Sequence, residues 1–128
     1  MLREFVMNGD LWHVRFTSPQ NPVLVDRTNT LTVAVTDPDT MTIYLSDNLY
    51  GDFLQKVLIH ELSHAVMYSY DLVSEIHRMC KKKYWIPMEE FCANLIANYG
   101  SEVFGIAYSV LGNQAIHIVP YHLERMIA

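Results

Sequence analysis

His60 and His64 stand four residues apart, with Glu61 beside the first, in the stretch V-L-I-H-E-L-S-H-A-V-M-Y at residues 57 to 68. On a helix of 3.6 residues per turn the two imidazoles project from one face, about 40° apart, and can grip one zinc ion between them. Glu61 is turned about 100° from His60 on the same helix, within reach of a water on the metal without taking a coordination position. This H-E-x-x-H order is the ligand-and-base arrangement of zinc hydrolases. Six histidines make a chance match possible, so the surroundings decide. The flanks Val57, Leu58, Ile59, Ala65 and Val66 are apolar, and no Gly or Pro interrupts residues 52 to 70. Ionisable groups in so apolar a helix are costly unless paired or bound to metal. The expectation is a metal site rather than two core histidines.

A catalytic zinc takes three protein ligands and keeps one position open. Met67 and Tyr70 stand where a longer H-E-x-x-H-x-x-G-x-x-H pattern would have Gly and its third His, so the third ligand comes from further along. Glu75, His77, Glu89, Glu90, Glu102, His117 and His122 are the candidates. Spacing favours Glu90. Met88, Phe91, Cys92, Leu95, Ile96 and Tyr99 form a bulky apolar stripe, while Glu90, Ala93, Asn94 and Ala97 form a second face whose alanines let another helix come close. That approach would bring the Glu90 carboxylate to the metal and Asn94 to the free nitrogen of a ligand imidazole, His60 in particular. Glu89, two residues after Pro87, has a simpler use as a negative charge in the first helical turn. His77 is the main rival to Glu90.

The elements that must position these groups follow from periodicity. Residues 11 to 17 alternate, with Trp12, Val14 and Phe16 on one side, as a half-buried strand does. The cluster Ser18-Pro19-Gln20-Asn21-Pro22 breaks it, and a short extended piece is expected at 23 to 25. Strands at 31 to 36 and 41 to 46, rich in Thr, Val, Ile and Tyr, are joined by Asp37-Pro38-Asp39-Thr40 as a hairpin. The period then changes, and 52 to 70 reads as the long motif helix. A shorter helix is expected at 73 to 83 and a third from Pro87 to about Tyr99, ended or loosened by Gly100-Ser101. Helix resumes to Leu111, and Pro120 opens a last one through Met126. The fold class expected is α+β: a small antiparallel sheet of three or four strands, then an active-site helix and a helical C-terminal half. The segment at 41 to 46 is the candidate edge strand for an extended substrate.

A chain of 128 residues with 51% apolar and 18% charged residues reads as one globular domain, 1 to 128. The formal charge of −5, with no segment that combines dense Lys and Arg with exposed aromatics, argues against nucleic acid as a partner. Lys81 to Lys83 beside Tyr84 and Trp85 read as a solvated helix end. Cys80 and Cys92 fit no metal or redox pattern. Arg3 and Glu4 precede no apolar leader and the apolar runs are short, so the expectation is a cytoplasmic protein that does not enter a membrane.

H-E-L-S-H at 60 to 64, followed by E-F-C-A-N-L-I-A at 90 to 97, resembles the gluzincin-type metallopeptidases of the ImmA/IrrE group and the small H-E-x-x-H proteins encoded by prophages of Gram-positive bacteria. The resemblance covers residues 57 to 99 and implies a minimal zincin-like fold. It implies His60, His64 and Glu90 as zinc ligands, Glu61 as catalytic base, and Asn94 as the residue behind a ligand imidazole. The implied substrate is a protein or peptide. Tyr121, His122 and His117 are candidates for steadying the oxyanion. Two other readings stand beside this one: a zinc-bearing sensor or protein-binding module with little or no hydrolysis, and an interaction protein whose motif is coincidental and binds no metal.

Overall fold

The structure is a computed structural model, and it describes residues 3 to 117. By its contacts the chain divides into two compact units, Met1–Asn98 and Tyr99–Ala128.

The first unit is α+β and opens with a hairpin of β1 (Glu4–Met7) and β2 (Asp10–Thr17). Asn8 (φ 50°) and Gly9 (φ 83°) form its turn. Positive φ at both central residues suits the right-handed twist of paired strands, which is why Asn-Gly is favoured there. Trp12 is buried and donates from its indole nitrogen to Ser69 Oγ at 2.7 Å; Asn8 donates to the Ser69 carbonyl at 2.8 Å. The segment expected to be extended at 23 to 25 begins instead as a 3-10 turn, Pro22–Leu24. Asn21 caps it and Pro22 enters it with its preset φ.

β3 (Ala34–Asp37) and β4 (Thr42–Ser46) form the expected hairpin, with Asp37 accepting from Asp39 N–H and the Thr40 hydroxyl in its turn. The sheet is mixed rather than antiparallel: its order is β1-β2-β4-β3, and β2 pairs β4 in parallel. β4 is therefore interior. Four of its five residues, Thr42, Ile43, Leu45 and Ser46, are buried, as befits a strand covered on both faces. The expected edge at 41 to 46 is corrected to β3, which bonds β4 on one side only.

α1 (Gly51–Ser69) lies across this sheet. Val57 and Ala65 join Trp12, Ala34, Ile43, Leu45 and Leu49 in the main core. Asp71, in a left-handed conformation (φ 56°), turns the chain into α2 (Leu72–Met79), shorter than the helix expected at 73 to 83 because Cys80 is extended and Lys82–Tyr84 is a separate 3-10 turn. α3 begins at Trp85, two residues before Pro87. A proline fits there because the first turn has no N–H to give up. Ala93 packs with Met67 of α1 and Ile76 of α2 in a second core cluster, so the small residues do admit close helix approach. The bulky stripe points outward: Phe91 and Leu95 are exposed. Cys80 and Cys92 are free thiols.

α3 runs unbroken to Leu111 through Gly100 and Ser101. In the second unit it is followed by the 3-10 turn Gly112–Ile116, entered through Gly112 at φ 63°. The helix expected from Pro120 to Met126 lies outside the described residues. Among the described residues no helix is long and apolar enough to cross a membrane.

Candidate metal centre

α1 places His60, Glu61 and His64 on the side that meets β3 and the start of α3. The His60 and His64 Nε2 atoms are 3.1 Å apart, with the rings edge to face. Glu90 reaches in from α3, its Oε2 3.2 Å from His60 Nε2 and its Oε1 3.4 Å from His64 Nε2. A tetrahedral ion with bonds of about 2.0–2.1 Å holds its ligands roughly 3.3–3.4 Å apart. The two nitrogens and the two carboxylate oxygens thus face one another around a position that one small divalent ion could occupy, and one ligand atom from each of the three residues lies within 4.8 Å of the others.

Within the first unit, His77 and Glu75 are engaged with other partners. The His77 ring stacks on Trp85 at 3.7 Å. Glu75 pairs with Arg78. Glu102 and His117 belong to the second unit, where both are exposed. His122, with Tyr121, lies outside the described residues.

Glu89 departs from its expected use. It is 3% exposed and sits beneath the site, not in the first turn. Its Oε1 accepts from His64 Nδ1 at 2.8 Å and from the Tyr68 hydroxyl at 3.1 Å; its Oε2 accepts from Arg27 Nη1 at 2.9 Å. Because an ionised carboxylate only accepts, the Nδ1 of His64 carries the proton and Nε2 is turned to the metal position. Glu89 thus does for His64 what Asn94 was expected to do for an imidazole. Asn94 is exposed and makes no side-chain hydrogen bond among the described residues. The inward line of α3 is Glu89, Ala93 and Ala97, at i, i+4 and i+8, all three buried. Glu90 and Asn94 lie about 100° round the helix from it.

Two further groups complete the polar cluster, Arg27 and Tyr68. Arg27 Nη2 is 3.3 Å from Glu90 Oε1, so one guanidinium spans both glutamates. It comes from a loop built on Asp26 Oδ1, which accepts from Thr28 N–H, the Thr28 hydroxyl and Thr30 N–H. Tyr68, four residues after His64, was legible as a neighbour on the same helix face; Arg27 carried no such signal.

The charges reinforce one another. Burial disfavours a charged His64, but the hydrogen bonds to Glu89 and Glu90 outweigh it and raise its pKa to about 9. Hydrogen bonds from His60 and His64 hold Glu90 far below the carboxylate range. Burial pushes Glu89 up, yet His64 and Arg27 bring it below its ordinary value. Tyr68 is pushed up to about 12 by burial and by Glu89.

No family model, curated protein or solved structure matches this chain. What the site can do follows from its side chains alone.

Glu61, buried beside His60, accepts on Oε2 from the Thr36 hydroxyl at 2.6 Å; the same hydroxyl is 3.1 Å from the Glu61 carbonyl. Thr36 belongs to β3, so the edge strand aims this carboxylate. Glu61 lines one cleft of about 700 Å³ together with His60, His64, Glu90 and residues 32 to 38. The Ser46 N–H bonds the Val33 carbonyl, and with the β3–β4 register this turns the N–H and C=O of Thr36 toward the free edge. The cleft thus joins three donors for a cation, an anchored carboxylate and a strand edge that has no partner among the described residues.

Proposed function

We propose that the protein is a zinc-dependent metallopeptidase, similar to the ImmA/IrrE group, that hydrolyses peptide bonds of a protein substrate in the cytoplasm. One observation carries the reading: His60 and His64 from α1 and Glu90 from α3 bring their donor atoms within 4.8 Å of one another in the cleft that also holds Glu61. Zinc, when bound by these three residues, supplies an acidic water and polarises the scissile carbonyl. Glu61 takes the proton of the attacking water and hands it to the leaving amine. The hydroxyl of Thr36 keeps that carboxylate in place. The substrate backbone pairs with the free edge of β3, a form of strand addition that presents an extended chain to the cleft.

The test is elemental analysis of the purified wild type and of Glu90→Ala, with peptidase assays of the wild type and Glu61→Gln. About one zinc per chain, lost with Glu90, and hydrolysis abolished by Glu61→Gln with zinc retained, is the expected outcome. Zinc without hydrolysis would favour a metal-bearing sensor. No zinc after reconstitution would rule out both.

A further inference from the structure

We infer that the cleft selects extended peptides with a bulky apolar side chain beside the scissile bond, received by a wall of Val23, Val25, Val33 and Ile86; this rests on the peptidase reading above. The four side chains are 38%, 38%, 41% and 39% exposed. Single exposed aliphatics need no explanation. These four, however, line the same cleft as His60, Glu61, His64 and Glu90. Ile86 precedes Glu90 by four residues on α3, which puts it on the same helix face, one turn away. The apolar wall therefore adjoins the reacting groups.

The charged side chains of the cleft are already engaged. Arg27 spans Glu89 and Glu90, Asp26 holds Thr28 and Thr30, Asp37 holds Asp39 and Thr40, and Glu61 holds Thr36. An acidic substrate side chain would be desolvated beside these carboxylates with the one guanidinium already paired, which is unfavourable. An aliphatic one covers valine and isoleucine surface that water now wets, which is favourable. The free N–H and C=O of Thr36 hold the backbone whatever its sequence, so discrimination falls to the side-chain wall.

The test uses the full chain with Glu61→Gln, which reads binding without turnover. The probes are short fluorescein-labelled peptides of alanine and threonine that differ at one central residue, Leu, Phe, Ser or Asn. By fluorescence anisotropy the Leu and Phe peptides are expected to bind at least about tenfold more tightly than the Ser and Asn peptides. Val25→Asp is expected to remove that preference. Ile86→Lys should do the same from a different element, so a folding defect in one variant leaves the other readable. Equal affinity across the set, or no binding of any peptide, overturns the inference. Failure of the peptidase reading appears separately, as wild type without zinc or as tight binding of the Leu peptide without its hydrolysis. Neither alters the ranking of affinities.

Discussion

Glu89 touches His64, Tyr68 and Arg27 with its two oxygens, so removing its charge would reach a bound metal through an imidazole. A carboxylate behind a ligating histidine fixes the ring's tautomer and orientation and raises its basicity. Glu89→Gln is expected to weaken zinc binding by about 10–100-fold, read by competition with a chromophoric chelator. Asn94→Ala, at an exposed position, should leave the same constant unchanged. In the metal-free protein the cluster also predicts a pH profile. His64 rises from 6.5 to about 9 on folding, so its contribution is full below about pH 6.5 and is lost as pH climbs toward 9. Glu89 and Glu90 are lowered from 4.5, so theirs is present above about pH 4.5 and is lost as pH falls. Thermal unfolding of the chelator-treated protein should therefore show greatest stability between about pH 4.5 and 6.5. A midpoint that climbs steadily from pH 6 to 9 would contradict the charge assignment.

At the scale of elements, the metal centre depends on how closely α3 approaches α1, and Ala93 sets that distance. It is fully buried between Met67 and Ile76. Ala93→Leu overfills the contact, a change that costs about 1–3 kcal/mol in urea unfolding. The same substitution lifts Glu89 and Glu90 away from the histidines, so zinc affinity should fall with it. β3 acts on the site through one hydroxyl. Thr36→Val keeps the strand shape but frees Glu61, and is expected to lower kcat while zinc content stays at wild-type level. The loss should stay within the roughly 10²–10⁴-fold that a placed proton-transfer group contributes.

For the first unit as a whole, a metal held by two residues of α1 and one of α3 would tie the sheet-bearing helix to the next long one. Zinc that bound this arrangement and not the unfolded chain would stabilise it by mass action. At about one hundred times Kd the gain is about 2.7 kcal/mol. Calorimetry should show an unfolding temperature that climbs with zinc concentration and returns on adding a chelator. A midpoint insensitive to zinc would mean that the three donors do not form a site in solution.

His60, Glu61 and His64 and the helix that carries them were legible in the sequence, because a 3.6-residue period places residues three and four apart on one face whatever surrounds them. The β3–β4 hairpin was legible for a similar reason, its turn chemistry being local. Asn8-Gly9 carried an equally local hairpin signal, though β1 was not anticipated. Glu90 was chosen from a spacing that grouped it with Ala93 and Ala97, whereas the line those alanines share carries Glu89, with Glu90 about 100° round the helix from it. The rotation of α3 that buries Glu89 instead of turning Asn94 inward was settled by which line of its surface packs best on α1 and α2. Strand order was likewise a tertiary outcome. β4 went between β2 and β3 because both of its faces find cover there, leaving β3 as the edge. Arg27 reaches glutamates some sixty positions away in sequence. Local periodicity says which way a side chain points along its own element; only packing between distant surfaces decides what it meets.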